Sequence, residues 1–299
     1  MNRHRPALGI VFMLGGCFLL TLNDAISKLL MDRLSVAQVI FGKNVLVVFG
    51  MIALAAWVGA SRVFSLADWQ GQLARSALTV ASAFLFLLGL MDLPLSTAVM
   101  LGFVAPLYMT ALAPWVLGET VGIHRWAAVC VGFLGVVIVC WPSSEGFSYA
   151  VLYPLGSALT GALRDLMTRR MSLRSTSESM IFYSVTAMTL AGGAATQGDI
   201  FSVSVSDWLQ LAAAAIASVF ALYLQIEAFR NAEAATVAPF KYSNLLWVTL
   251  LDVLLWGHFP SWNVFVGAAV MTAAMLYIYR RERVTAAPTV EPPPPSPVG

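Results

Sequence analysis

Charged residues are scarce in this chain of 299 residues: Asp, Glu, Lys and Arg make up 11% of it. Ordinary globular proteins are about a quarter charged. Hydrophobic residues account for 59%, and the mean hydropathy is +0.81. Because so much apolar surface cannot be hidden from water, lipid must be the solvent for most of the chain. The net charge of +2 and the lack of a basic run before the last apolar segment ends indicate no nucleic-acid partner.

Cysteine and histidine are also few, and their positions argue against metal sites. Cys17, Cys130 and Cys140 fall inside apolar runs, which predicts buried side chains rather than a disulfide framework. The three histidines lie at separate segment ends, without metal-ligand spacing. We therefore expect no metal and no cofactor. The hydrolase and metalloprotease motifs are absent, which disfavours a membrane-embedded enzyme, and the missing phosphate loop excludes ATP-driven pumping by this chain alone.

Long apolar runs fill the rest of the chain. A membrane-spanning helix needs about 20 apolar residues. On this criterion the sequence predicts ten spans joined by short loops: 7–30, 36–58, 70–90, 94–117, 123–141, 147–169, 176–196, 206–229, 234–256 and 261–280. The Pro-rich tail, residues 284–299, is predicted to be disordered.

The distribution of the seventeen Lys and Arg residues predicts the orientation. Cytoplasmic loops of membrane proteins carry an excess of these residues. If the N-terminus is cytoplasmic, twelve of the seventeen fall on the cytoplasmic side, and only Lys28 and Arg33 fall on the outer side. The remaining three lie within spans. We therefore expect both termini in the cytoplasm.

Two similar polar interruptions occur in apolar runs half a chain apart. Asp24 precedes Lys28 by four residues in the first span, and Asp165 precedes Arg169 by four in the sixth. The two acids are 141 residues apart, and so are the two bases. Residues four apart share a helix face, so each acid can pair with its base. Charges near lipid need such pairing or an aqueous cavity.

Further matches support an internal repeat. Ser96-Thr97-Ala98 corresponds to Ala235-Thr236-Val237 at a spacing of 139, and Gly118 corresponds to Gly257 at the same spacing. Five spans per half make the halves run oppositely through the bilayer. The predicted fold is an all-α membrane protein of ten transmembrane helices in two inverted five-helix repeats, residues 7–141 and 147–283. Many secondary transporters have this architecture, with a ligand site near the midplane.

Several short stretches carry a family resemblance: 23–28 (Asn-Asp-Ala-Ile-Ser-Lys), 117–119 (Leu-Gly-Glu), 132–136 (Gly-Phe-Leu-Gly-Val) and 234–242, which ends in Ala-Pro-Phe-Lys-Tyr. With them, nearly all of residues 7–283 resembles the drug/metabolite transporter superfamily, in its EamA-type branch. The first and last stretches are similar to those of bacterial riboflavin and S-adenosylmethionine carriers. The chain departs from the pattern at Gly257-His258, where the first half has Gly118-Glu119.

The resemblance implies a secondary transporter in the bacterial inner membrane, not an enzyme. Its substrate would be a small polar or heteroaromatic metabolite, and riboflavin uptake is the preferred interpretation. S-adenosylmethionine uptake and export of amino acids or drugs are alternatives, and a channel or a membrane-embedded enzyme is an alternative of a different class. The expected partners are the small molecule and the lipid bilayer, and a homodimer remains open.

Candidate substrate-binding residues are polar or aromatic side chains within the spans: Asn23, Asp24, Lys43, Asn44, Tyr108, Tyr223, Lys241, Tyr242, Asn244 and Trp247. For Lys43 two interpretations stay open, a cation facing a wet cavity or a side chain that snorkels to the interface. For Lys241 the alternative to a ligand-facing role is a structural ion pair. Aromatic rings within spans suit stacking on a flat ligand.

Acidic and basic groups within the spans are the candidates for coupling or gating. A carboxylate in a low dielectric resists ionisation and can take part in a proton cycle, whereas pairing with a base holds it ionised. We predict that Asp24 and Asp165, with Lys28 and Arg169 as their bases, couple or gate transport. A purely structural pair at the helix end is the alternative for Asp165.

Overall fold

A computed structural model describes residues 6–66, 68–118, 122–140, 148–171, 175–196, 203–231, 240–241 and 243–286. Within these ranges the regular secondary structure is helical, with no strand. The α-helices are α1 (Pro6–Leu30), α2 (Val36–Val58), α3 (Ala60–Val63), α4 (Trp69–Asp92), α5 (Leu95–Gly102), α6 (Ala105–Leu117), α7 (Ile123–Val139), α8 (Leu152–Met171), α9 (Ser177–Ala195), α10 (Val205–Asn231), α11 (Ser243–Trp256) and α12 (Trp262–Ala286).

The helices follow the predicted spans with two main differences. The fourth span is divided into α5 and α6, and the described helix of the ninth begins only at Ser243. The last helix continues to Ala286, past the predicted start of the tail, and residues 287–299 lie outside the described part. Within the described ranges, five stretches are long and apolar enough to cross a membrane: Ala7–Leu30, Val36–Trp57, Trp69–Asp92, Leu95–Leu117 and Val205–Gln225. The total of ten spans stays a prediction.

The division of the fourth span has a local cause. Phe103 and Val104 donate their N–H groups to the carbonyls of Met100 (3.1 Å) and Leu101 (3.2 Å), three residues back instead of four. Proline lacks an N–H and its ring clashes with the carbonyl four residues earlier. Pro106 therefore cannot continue the helix of α5, and α6 begins anew with this proline in its first turn.

Two glycines end helices at corresponding places in the two halves. Gly118 after α6 and Gly257 after α11 have left-handed backbones, with φ of 69° and 68°. Each donates its N–H to the carbonyl four residues back, of Pro114 and Val253 respectively. This C-cap favours glycine, which has no Cβ to clash in that conformation. The pair that matches in sequence at a spacing of 139 thus has the same backbone role.

The helices pack in two groups. The α1 group contains α1, α2, α10 and α11, and the α4 group contains α4, α5, α6, α8 and α9. Helix α1 packs on α10 as α8 packs on α4, and α1 packs on α11 as α8 packs on α6. The groups meet where α2 packs on α9 and α5 packs on α11, while α7 and α12 pack on each other. These pairs are preserved when each helix is exchanged with its counterpart in the other half.

Large apolar side chains are found both inside and outside the bundle. The core is centred on α5, where Leu95 and Leu101 are fully buried, with Leu90 and Leu107 on either side. Many apolar residues are exposed in contrast, including Trp57, of which 92% is accessible. An apolar outer surface suits lipid rather than water. The chain therefore has the exterior of a membrane protein.

Helices α7 and α12 cross at a pair of glycines. A Cβ on Gly135 would lie 2.8 Å from the carbonyl oxygen of Gly267, and a Cβ on Gly267 would lie 2.5 Å from that of Gly135. Such close backbone approach is how membrane helices gain packing energy, because lipid supplies no hydrophobic drive for their association. The crossing depends on the absence of side chains at both positions.

We predict that Gly267→Ala lowers the thermal midpoint of the protein in detergent. The added methyl group meets backbone atoms, which cannot rotate away, and overpacking of this kind costs about 1–3 kcal/mol. Gly50→Ala is the matched control, since a Cβ at Gly50 meets nothing within 4 Å. It should leave the midpoint unchanged or raise it, because alanine favours helix. Equal midpoints for the two variants would contradict the packing argument.

Candidate functional site

One face of α1 carries polar side chains at helical spacing. Cys17, Thr21, Asp24 and Lys28 are separated by four, three and four residues, so they line a single face. They contact several different elements, as described below. This face runs from the middle of α1 to its C-terminal end and organises the candidate site.

A chain of hydrogen bonds joins Lys43 to Asp24 through Asn23. Lys43 Nζ donates to Asn23 Oδ1 (3.2 Å), and Asn23 Nδ2 donates to Asp24 Oδ1 (2.9 Å). Asn23 lies seven residues before the end of α1, and Lys43 lies seven residues after the start of α2. At 1.5 Å per residue, both are about 10 Å from the helix ends. The two helices thus bring opposite charges to the same depth.

The electrostatics of this chain set it apart from the surrounding apolar helices. The amide of Asn23 is oriented by its neighbours, with its oxygen toward the ammonium and its nitrogen toward the carboxylate. Asn23 is buried, whereas Asp24 and Lys43 keep part of their surface accessible. Ionisable groups at such depth are costly unless they pair or face a cavity. The three side chains therefore form a polar site that can offer both a donor and an acceptor to a ligand.

A second polar contact lies about one turn away, between α1 and α11. Thr21 Oγ1 donates to Asn244 Oδ1 (2.5 Å). The ring of Phe18 packs edge-on against Trp247, with 5.3 Å between the centroids. The indole nitrogen of Trp247 is buried and has no hydrogen-bond partner among the residues that the structure describes. Polar and aromatic groups thus continue the site along α1.

The predicted pairing of Asp24 with Lys28 is wrong. Lys28 Nζ donates instead to the carbonyl oxygens of Leu90 (3.1 Å) and Leu93. The last carbonyls of a helix lack intrahelical donors and carry partial negative charge, so the C-terminal end of α4 attracts this ammonium. Asp24 instead accepts a hydrogen bond from Asn23 and is attracted electrostatically by Lys43.

Asp165 pairs with its neighbour in sequence. Arg164 contacts the Asp165 carboxylate through Nε (2.9 Å) and Nη2 (2.8 Å). Both side chains are partly exposed, 31% and 45% respectively. The side chain of Arg169 lies outside the described part, so its pairing with Asp165 stays a prediction.

Two further candidates make contacts away from the Lys43–Asn23–Asp24 chain. Asn44 is buried and donates its amide to the carbonyl of Ile40 in its own helix (2.8 Å). Tyr108 packs edge-on against Phe133 of α7, with 5.3 Å between the ring centroids. Neither side chain contacts the chain around Asn23, so neither is brought into that site.

The remaining candidates have varied positions. Tyr223 is 56% exposed and shares a face of α10 with Ile216 and Phe220, which are exposed as well. This face suits lipid, so the structure does not place Tyr223 in the site. Lys241 is exposed, and its backbone carbonyl lies 3.7 Å from Cys17 Sγ. Tyr242 lies outside the described residues.

The sequence interpretation missed two residues that the structure makes prominent. Asp252 is fully buried in α11 and accepts hydrogen bonds from Ser96 Oγ (2.5 Å) and from the backbone N–H of Ser96 (2.9 Å). The available signal was a single carboxylate in an apolar helix, which requires a partner. Thr21 was missed as well, although it lies on the same helix face as Asp24.

Comparison with known proteins gives matches over the whole bundle. The EamA-like transporter family model matches residues 7–141 and 148–280. The S-adenosylmethionine uptake transporter of Rickettsia prowazekii is 25% identical over 285 residues, which covers 92% of this chain and 93% of that protein. The riboflavin transporter of Rhizobium johnstonii is 30% identical over 211 residues, 70% of each. A solved crystal structure shares the fold, with a TM-score of 0.64 at 16% identity, covering 94% of this chain and 99% of that one.

We predict that Thr21→Val lowers the thermal midpoint in detergent. The substitution keeps the shape but leaves Asn244 Oδ1, which is partly buried, without its donor. Loss of such a hydrogen bond costs about 0.5–1.5 kcal/mol. Thr110→Val is the matched control, because Thr110 bonds only to the carbonyl of Pro106 in its own helix (3.0 Å). If Thr110→Val lowers the midpoint as much as Thr21→Val does, the hydrogen bond between α1 and α11 does not contribute measurably to stability.

Proposed function

The chain belongs to the EamA-like transporter family, and on that premise we propose that it is a secondary carrier working by alternating access. The carrier would have ten spans in two inverted five-helix repeats, in the bacterial inner membrane, with both termini cytoplasmic. Carriers of this architecture bind substrate near the bilayer midplane, where the repeats meet. The substrate would be a small heteroaromatic metabolite that carries polar groups.

The packing of the helices supports the inverted repeat. The extensive packed pairs are preserved when each helix is exchanged with its counterpart. Gly118 and Gly257 end corresponding helices with nearly the same φ. Five spans per half would turn the second half upside down relative to the first. The exchange of the two halves is therefore consistent with a rotation about a two-fold axis in the membrane plane.

The observation that carries the proposal is the Lys43–Asn23–Asp24 chain. Its groups lie about two turns inside the helices and are held by one another rather than by lipid headgroups, and the two charged side chains, Asp24 and Lys43, keep accessible surface. An ionisable residue at such depth indicates a functional site by default. We assign Lys43 and Asn23 to binding of polar atoms of the substrate, and Asp24 to orientation of Asn23 or to coupling.

Riboflavin is the first candidate substrate. Its flat, neutral ring system carries carbonyl oxygens, which Lys43 and Asn23 can bind as donors, and it can stack on aromatic side chains. The Phe18–Trp247 pair lies about one turn along α1, and the buried Trp247 nitrogen supplies a further donor. The relative with 30% identity over 70% of the chain bears the name of riboflavin transporter.

S-adenosylmethionine is the second candidate, and a specific observation favours it. This metabolite combines a flat adenine ring with a carboxylate and two cationic groups. The site holds one base and one acid at the same depth, Lys43 and Asp24, which complement such a ligand. Relatives named for this substrate align over about nine-tenths of the chain.

We predict that Lys43→Met strongly reduces uptake while leaving membrane abundance intact. Removal of a charge-assisted hydrogen bond, worth about 1.5–3 kcal/mol, should reduce uptake at limiting substrate at least about tenfold. Arg33→Met is the control, because it removes a cation that lies half-exposed at the helix end in a pair with Asp207. Its uptake should match that of the unmodified protein. Normal uptake by Lys43→Met would remove Lys43 from the site.

The substrate test is uptake by purified protein in liposomes, with labelled riboflavin and labelled S-adenosylmethionine measured separately, with and without a proton uncoupler. We expect saturable uptake of one compound and competition by it alone. Flux that rises linearly with concentration would indicate a channel instead of a carrier. If neither compound accumulates or competes, neither riboflavin nor S-adenosylmethionine is the substrate.

A further inference from the structure

Two side chains of the α1 group bind the α4 group at one end of the bundle. Lys28 of α1 donates to carbonyls at the end of α4, and Asp252 of α11 accepts from the start of α5. Many polar contacts stay within one group, such as Lys43 with Asn23 in the α1 group, and the ion pair of Arg62 in α3 with Glu178 in α9 lies at the opposite end of the bundle. The Lys28 and Asp252 contacts therefore hold the two groups together at this end of the bundle.

Asp252 caps a helix that belongs to the opposite half of the chain. Its carboxylate accepts from the backbone N–H groups of Leu95 (3.3 Å) and Ser96 (2.9 Å) and from Ser96 Oγ (2.5 Å). The first N–H groups of a helix have no intrahelical acceptor, and an anion is favoured at that end. Asp252 is fully buried, so separating it from α5 would leave a charge and these donors unsatisfied.

Lys28 binds the other side of the same turn. Its ammonium reaches the carbonyls of Leu90 and Leu93, and the ring of Trp256 lies 5.4 Å away. A cation is favoured at a helix C-terminus for the reason that an anion is favoured at an N-terminus. Lys28 is also attracted by Asp252. Lys28 thus binds the C-terminal end of α4 and Asp252 binds the N-terminal end of α5, on either side of the turn at Leu93 and Pro94.

We propose that these contacts form a latch that closes this end of the carrier, and that they break when the cavity opens there. The latch consists of Lys28, Leu90, Leu93, Ser96 and Asp252. The inference rests on the alternating-access function proposed above, and under the orientation proposed there this end faces the outside. Opening would separate α1 and α11 from α4 and α5, and would require water or substrate to replace the broken hydrogen bonds.

The latch is specific to one end of the molecule. At the repeat spacing of 139 residues, Asp252 corresponds to Ala113 and Ser96 to Ala235. Alanine has neither a carboxylate nor a hydroxyl group, so these two positions cannot form an equivalent capping bond at the opposite end. The capping bond of Asp252 therefore stabilises closure at the Lys28 end alone. We expect the state closed at the Lys28 end, which the structure shows, to be the main one in the absence of substrate.

Electron-spin distance measurements on the full-length protein in liposomes test the latch. Spin labels on Asp92→Cys and Phe259→Cys would report the separation of the two groups, since both positions are exposed, at the end of α4 and just after α11. The native cysteines are replaced by alanine. A minor open state is typically populated at about 0.1–10%, so the unmodified latch should give one main distance.

We expect Asp252→Leu to raise the population of a longer distance at least about tenfold, which makes the open state visible. Ser96→Ala is the milder variant, since it removes one bond and keeps the backbone donors, and it should shift the same populations less. Glu178→Gln is the control, because it breaks an ion pair at the opposite end, between α9 and Arg62 of α3 (2.9 Å). It should not populate the longer distance at the Lys28 end.

The outcomes separate the latch from the transport proposal. If Asp252→Leu does not fold, as judged by gel filtration, the latch is tested by whether Ser96→Ala raises the population of the longer distance. An unchanged distribution in every folded latch variant would overturn the latch, even where the unmodified protein transports substrate. A distribution that lengthens equally in Glu178→Gln would overturn it as well. A clear shift in a protein that transports none of the compounds tested would support the latch and count against the proposed function.

Discussion

A charge inside an apolar helix bundle must find its partner within the protein, because lipid offers none. Helix α1 meets this requirement in two different ways along one face. Asp24 is held through Asn23 and Lys43, within the same group of helices. Lys28 instead takes the carbonyls at the end of α4, in the other group. One turn of helix thus separates a polar site from a contact between the two groups.

The position of α5 connects these features. Its side chains form the centre of the hydrophobic core, and its N-terminus receives the carboxylate of Asp252 from α11. The helix is short because Pro106 ends its hydrogen-bond ladder. This short, buried helix is thus held at one end by a carboxylate from the other half of the chain. The break in the fourth span thus has a local cause, Pro106, and leaves a short helix where the two groups meet.

Prediction from sequence succeeded where the signal is local. Apolar runs gave helix bounds close to those of the structure, for example Val36–Val58, and the matched glycines Gly118 and Gly257 share a backbone conformation. Prediction failed where a partner lies far along the chain. The four-residue spacing of Asp24 and Lys28 suggested a pair, but spacing on one helix cannot reveal that a distant helix end competes for the same ammonium. The exposure of Tyr223 was likewise decided by the rest of the bundle.

The amino-acid sequence alone determined that this chain is helical and lipid-embedded, because composition and apolar run length depend only on the residues themselves. It also determined that polar groups occur in α1 and in α8 at matching positions. Only the tertiary structure decided which partners those groups take. The hydrogen bonds of Lys28 and Asp252 join residues 62 to 157 positions apart, and such contacts depend on how whole helices pack, which no local pattern encodes.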